Sequence, residues 1–345
     1  MGFQIASDER VQNVWAVKAG LLMRRVWDRL RMNRFVVLGR VGMDLYADPP
    51  GTRIEDATRF STAIGGSAGN IAVALARQGA GVALVSAVSD DAVGRYCRVQ
   101  LQGYGVDCTH LHAVAGGARN SLAVTETRAT DCQVVLYRNG AADFALTAEQ
   151  ALAVDFAPIA ALIVTGTALA AEPSRAATFA AIAHARTAGA LVVLDIDYRA
   201  TSWPSVTEAA TECTRAAHAS DIIIGNDDEF GMLAGDVAKG ADFARTLAAE
   251  ALFCVYKQGA AGSVTFTPDF QFRTGIFAVT AQKPMGAGDG FMGGLMAGLA
   301  AGNTIEAAVL RGSATAAMIV AGVACAPASP TEADLTKFME HTRCT

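Results

Sequence analysis

The chain has 345 residues, of which 52% are hydrophobic and 18% charged, and its formal net charge is -5. That length suits one large α/β domain or two ordinary ones, and the charge excludes a global basic field able to hold nucleic acid or an anionic membrane; a small-molecule partner is expected. Seven scattered cysteines with no C-x-x-C pair argue against a disulfide framework or a zinc site and for the reduced thiols of a cytoplasmic protein.

Residues 1–33 stand apart from the rest. Trp15 and Trp27 accompany Lys18, Arg24, Arg25, Arg29, Arg31 and Arg34, without the apolar core and cleavage site of a secretory signal. The expectation is a poorly ordered extension, with Met32 as an alternative translation start directly before the first core strand; an amphipathic surface helix is the other reading. The domain proper is then 34–345.

From Phe35 onward, short β-branched runs alternate with alanine-rich helical segments. The runs are FVVLG (35–39), VALVSA (82–87), LIVTG (162–166), LVVLD (191–195), DIIIG (221–225) and LFCVYK (252–257). Apolar runs without alternation, separated by helices, are what a parallel sheet buried on both faces requires, so an α/β sandwich is predicted. Two stretches, at about 45–63 and 111–145, break this rhythm with alternating polar and β-prone residues, and the second reads as a hairpin turning near Thr130 and Asp131. Both are assigned to a small β lid over one end of the sheet. The mean hydropathy of +0.30 raises the question of a membrane span, but the apolar stretches at 156–171 and 314–326 are shorter than the ~20 residues a span needs.

Three places carry the chemistry most clearly. In KPMGAGDGFMGGLMAGLAAG (283–302), Gly286, Ala287 and Gly288 precede a long small-residue helix, so their N–H groups can converge on one anion. Asp289, in the first turn, is near enough to that anion to take a proton from an attacking hydroxyl; an N-cap in a tight turn is the alternative. A dinucleotide fingerprint is disfavoured because these glycines come late and lack a following βαβ unit. Earlier, IGGSAGN (64–70) opens a helix with Gly65 and Gly66, which allow close approach, and Asn70, which offers donor and acceptor to sugar hydroxyls. Asp44 in GRVGMDLY follows the first strand, at the end of a parallel sheet where ligands gather.

Asp44, GGSAGN at 65–70, Asn226 and Glu229 in GNDDEF, KQGAAG at 257–262 and GAGD at 286–289 stand in the order found in the ribokinase-like (PfkB) carbohydrate kinases, which the chain resembles over about residues 34–340. The resemblance implies a doubly wound, mostly parallel sheet sandwiched by helices with a small β lid, MgATP as phosphoryl donor, and Asp289 as the base. It further implies that Asp44, Gly65, Gly66 and Asn70 hold substrate hydroxyls and that Gly286, Ala287 and Gly288 form the anion hole. Asn226 and Glu229 would act on Mg²⁺ and the phosphates through water, and Lys257, Gly259 and Gly262 would border the nucleotide. Where family members commonly carry Asp-Thr before the GAGD, this chain has Lys283, Pro284 and Met285, so a monovalent cation site is not supported.

Two more segments, LYRNGAADFAL (136–146) and LDIDYRATSW (194–203), are similar to the sugar-acid kinases of the family. The first is shared between kinases of 5-dehydro-2-deoxygluconate, an intermediate of myo-inositol breakdown, and of 2-keto-3-deoxygluconate. The second, with Trp203, favours the former. Arg138 is expected to anchor a substrate carboxylate. A neutral-sugar kinase, an oxidoreductase and a non-catalytic binding protein are the alternatives, and self-association into a homo-oligomer is left open.

Overall fold

A computed structural model describes residues 25–345. Residues 25–30 are helical (α1). The strands that follow are β1 Arg34–Leu38, β2 Gly42–Asp48, β3 Arg59–Gly65, β4 Gly81–Ser89, β5 Leu111–Val114, β6 Ser121–Thr125, β7 Val134–Tyr137, β8 Ala161–Thr165, β9 Leu191–Asp195, β10 Ile222–Asn226, β11 Phe253–Lys257, β12 Ser263–Phe266 and β13 Gln271–Thr274. The helices are α2 Ser67–Arg77, α3 Ala92–Gly103, α4 Ala148–Leu152, α5 Ser174–Thr187, α6 Val206–His218, α7 Asp227–Ala234, α8 Gly240–Ala248, α9 Ala287–Ala300, α10 Ile305–Val320, α11 Cys325–Ala328 and α12 Glu332–His341.

Nine strands form one sheet in the order β13-β12-β11-β10-β9-β8-β1-β4-β5. The pairs from β11 to β5 are parallel, and β12 and β13 close one edge antiparallel. The apolar runs read from the sequence supply the buried strands, and successive residues feed opposite faces. Phe35, Val37, Ile163, Val193, Ile224 and Val255 pack with α2 and α9. Val36, Leu38, Val164, Leu194, Ile223 and Cys254 pack with α5, α6, α7 and α8. The chain departs from β1 toward β4 on one side and continues from β8 on the other, so the sheet's order reverses between β1 and β8. A crevice opens at the carboxyl ends of strands at such a point.

A second sheet, β3-β2-β6-β7, stands over that crevice. Its β2–β3 and β6–β7 pairs are antiparallel, with β2 and β6 parallel, and Asp131 takes φ 51° in the β6–β7 turn. The stretch expected to form the lid is too generous in one place. Leu111–Val114 pairs with β4 in the large sheet, and because Leu111 is buried in the main core, packing rather than local alternation decides its place.

The expectation for residues 1–33 also needs correction. Val26 and Leu30 are buried in the same core cluster as Phe35 and Val82. The Arg29 guanidinium donates to the carbonyls of Ile159 at 2.7 Å and Phe156 at 2.6 Å. Residues 25–33 therefore belong to the domain, while the part of that expectation concerning residues 1–24 lies outside the described residues. Among the described residues no helix is long and apolar enough to cross a membrane. Leu30 is 1% exposed, so Leu30→Ala should cost about 2 to 5 kcal/mol, measured by urea unfolding. Removal of residues 1–31 should likewise lower the melting temperature, and an unchanged melting temperature would show that α1 contributes nothing.

Candidate active site

The N-termini of α2 and α9 meet beneath the crevice. Asn70, in the first turns of α2, donates through Nδ2 to Oδ2 of Asp289 at 2.7 Å. Both side chains are buried. Among the described residues the Asn70 Oδ1 has no partner, and neither has Oδ1 of Asp44, whose Oδ2 accepts from the Tyr46 hydroxyl at 3.1 Å. Two buried oxygens without donors are costly in a folded protein. Both lie on residues lining a cavity of about 930 Å³ that also includes Asp289, which suits a ligand rich in hydroxyl donors.

Gly65 is not on the cavity wall. A Cβ there would fall 1.9 Å from Asp44 Oδ1, so its contribution is the space into which the Asp44 carboxylate turns, across the β2–β3 pair. Gly66 is the N-cap of α2 and does line the cavity. At α9 the N-cap is Gly286, at φ 79°, and among the described residues no side chain caps the helix. The first-turn N–H groups are left for a ligand; Gly286, Ala287 and Gly288 all face the cavity. Any side chain at Gly286 would meet Cys325, whose Sγ would lie 2.5 Å from a Cβ.

The carboxyl ends of β9, β10 and β11 bring further charge. Asn226 and Glu229 form a reciprocal capping box: Glu229 N donates to Asn226 Oδ1 at 2.8 Å, and Asn226 N to Glu229 Oε2 at 2.7 Å. Both line the cavity, as do Lys257, Gly259 and Gly262. The Lys257 ammonium reaches toward the glycine turn, 3.3 Å from where a Gly288 Cβ would stand.

Four charged residues of the wall were not among the site residues read from the sequence: Asp195, Asp197, Arg199 and Arg40. Asp195 ends β9, and Asp197 accepts from Thr167 Oγ1 at 2.9 Å and pairs with Arg199 at 3.0 Å. The signal available was a pair of carboxylates two residues apart at the carboxyl end of a buried strand. Arg40 follows β1 at the reversal of strand order, and its Nη1 donates to Ser121 Oγ at 2.9 Å.

Burial sets the proton affinities. Asp289 is pushed up to about 6, mainly by burial and then by the Asp197 charge, against the pull of the Asn70 hydrogen bond, Arg199 and Arg40. Asp195 is raised by burial and by the charges of Glu229, Asp197 and Asp289, with Lys257 opposing. Burial likewise raises Asp44, opposed by Arg40, the Tyr46 hydrogen bond and Lys283.

Arg138 is elsewhere than expected. The residue is 6% exposed, and its guanidinium pairs with Asp143 and donates to the Thr167 carbonyl at 3.0 Å. It lies over the Phe144 ring and is not among the cavity-lining residues. The alternation of β7 points Tyr137 outward, 60% exposed, and the following arginine turns into the body of the domain, where Asp143, five residues on, neutralises it.

The chain matches the description "pfkB family carbohydrate kinase" over residues 32–332. It is 42% identical to a 5-dehydro-2-deoxygluconokinase of Photobacterium profundum, over 88% of this chain and 94% of that enzyme. It is 33% identical to an enzyme of the same name from Geobacillus thermodenitrificans, over 89% and 93%. Its fold superposes on a fructokinase double mutant from Vibrio cholerae, bound to fructose, ADP and potassium ion, with a TM-score of 0.77 and 27% identity over 89% of this chain and 98% of that one. With the family description spanning nearly the whole domain and the cavity joining two helix N-termini to a buried aspartate, the chain belongs to the pfkB family of carbohydrate kinases.

Proposed function

We propose that this kinase transfers the γ-phosphoryl group of MgATP to a hydroxyl of 5-dehydro-2-deoxy-D-gluconate, in the cytoplasm, with Asp289 as the base. The observation that carries the chemistry is the Asn70–Asp289 hydrogen bond with the unpartnered Asn70 and Asp44 oxygens beside it. A substrate hydroxyl donating to Asp44 or Asn70 leaves its neighbour facing Asp289. The Asn70 amide holds the Asp289 Oδ2, so the remaining oxygen is free to accept the proton. The attacking oxygen then meets the phosphorus as the first-turn N–H groups of α9 take the charge on the transferring group.

The carboxylates at the strand ends fit a divalent cation. Asp195, Asp197, Glu229 and Asp289 crowd one buried wall and raise the Asp195 proton affinity, an excess of negative charge that a cation relieves. Among the described residues no group of three or more His, Cys, Asp or Glu is arranged to hold a metal directly. This suits Mg²⁺ held through water and the nucleotide phosphates, near Asn226 and Glu229, where it would screen charge on the phosphates. Lys257, Gly259 and Gly262 would border the nucleotide, and the apolar wall of Phe277, Val279, Ala317 and Val320 suits its base.

The carboxylate of the substrate is assigned to Arg40 in place of Arg138. Arg40 is on the cavity wall close enough to Asp44 and Asp289 for its charge to lower both, whereas Arg138 is committed to Asp143. A kinase of a neutral sugar is the second reading, favoured by the fructose-bound structural relative, with a kinase of 2-keto-3-deoxygluconate the other alternative.

Asp289→Asn should lower kcat by ~10²- to 10⁴-fold with ADP binding retained; a variant keeping more than about a tenth of the turnover would remove Asp289 from the base role. Because the base must be ionised and its proton affinity is raised, kcat/KM should fall with decreasing pH through about 6, and an acid limb near 4 would contradict the buried environment described. In a coupled ADP-release assay over sugar acids and neutral sugars, 5-dehydro-2-deoxygluconate should be preferred. Arg40→Met should cost roughly 1.5 to 3 kcal/mol in kcat/KM for the acid and less for fructose. Equal losses on both would refute the carboxylate contact, and a preference of the native enzyme for fructose would favour the second reading.

A further inference from the structure

Lys283 is 0% exposed, and the mechanism above makes no use of it. Its ammonium donates to the carbonyls of Met285 at 2.9 Å and Ile319 at 3.2 Å. These partners are neutral, so the positive charge is carried into the protein without being cancelled by them. A methionine would fill similar space without that desolvation cost. Such a charge is retained where an anion comes near, and its field is felt at the cavity: it lowers the proton affinities of Asp44 and Cys325.

Both acceptors bear on the phosphoryl cradle. Met285 immediately precedes Gly286, the N-cap of α9, and its carbonyl also accepts from Cys325 Sγ at 3.6 Å. Ile319 lies in the last turn of α10, the negative end of that helix's dipole, and a Gly286 Cβ would stand 3.2 Å from Ile319 Cγ2. The cradle turn thus rests directly on a helix end whose polarity opposes an incoming phosphate. Lys283 sits between the two, bonds to both and reverses that polarity.

We propose that Lys283 is a positioning residue of phosphoryl transfer, a tethered cation that holds the α9 turn against α10 and supplies from within the chain the positive charge that a diffusible monovalent cation would otherwise bring. The fructokinase relative is recorded with a potassium ion; in this chain the carbonyls beneath the cradle are already engaged by an ammonium. The inference rests on the kinase reading of the site, and it makes the enzyme independent of monovalent cations.

The test compares KCl, NH4Cl and tetramethylammonium chloride at equal ionic strength, in native enzyme and in Lys283→Met. Two quantities are read: turnover, and the rise in melting temperature produced by ADP with Mg²⁺, which needs no sugar. Native enzyme is expected to give the same value of each in all three salts. Lys283→Met is expected to lose roughly tenfold or more in kcat with a smaller change in KM, and to recover part of both quantities in KCl or NH4Cl but not in tetramethylammonium. Native enzyme stimulated severalfold by potassium would overturn the proposal, as would a variant with native turnover or one whose losses no small cation restores. Should Lys283→Met not fold, the native salt comparison still decides. If no sugar acid is phosphorylated, the substrate assignment fails, while the salt dependence of the ADP-induced shift continues to test Lys283.

Discussion

The hydrogen bond from Asn70 to Asp289 is the constraint around which the rest of the site is arranged. It joins residues 219 apart in the chain and requires the N-termini of two helices to converge, although helix dipoles pointing the same way repel. Convergence is possible because α9 places glycines where it comes closest to α2 and α10. A Cβ at Gly293 would fall 2.5 Å from the Ala74 Cβ of α2, and one at Gly294 would fall 2.4 Å from Thr315 Oγ1 of α10. These glycines therefore set the distance between Asp289 and Asn70. Each costs up to about 1 kcal/mol of helix propensity relative to alanine, offset by the burial of α9, whose residues from Asp289 to Ala300 are all buried.

Once the two N-termini are together, the electrostatics follow. A cavity lined by Asp44, Asp195, Asp197, Glu229 and Asp289 carries more negative than positive side chains, with Arg40, Arg199 and Lys257 on its walls. Left to itself this wall repels a nucleotide. Two features counter that repulsion: the uncapped N-terminus of α9 and the buried Lys283 ammonium beneath it. Burial first, and then the Asp197 charge, keep the Asp289 proton affinity high, which suits the proposed base to accept a proton near neutrality.

Much of this was legible in the sequence because it depends on short-range pattern. The six apolar runs became β1, β4, β8, β9, β10 and β11, since an unbroken apolar run has few options other than a strand buried on both faces. Gly286 to Asp289 were readable because a glycine turn before a small-residue helix has a defined geometry. What was not legible depended on facing. Arg138 and Arg40 are both arginines beside strand ends, and only the three-dimensional register shows that one turns inward onto Asp143 and the other onto the cavity. Leu111–Val114 alternates like a lid strand, yet its pairing partner is β4. Residues 25–33 are basic enough to suggest a solvated tail, and it is two apolar side chains, Val26 and Leu30, that fasten them to the core.

Gly65 and Glu229 show why a motif can be right about a position and silent about its task. A glycine beside a ligand site is usually read as room for the ligand, but at Gly65 the occupant of that room is the Asp44 carboxylate. Asp44 can turn one oxygen to Tyr46 and leave the other open only because the facing strand has no side chain there. Glu229 reads as a metal ligand, yet its Oε2 closes the capping box on Asn226 N, which fixes the start of α7 at the carboxyl end of β10. Its charge acts on the cavity from that fixed position, through Asp195. In both cases a residue shapes the site by constraining its neighbour.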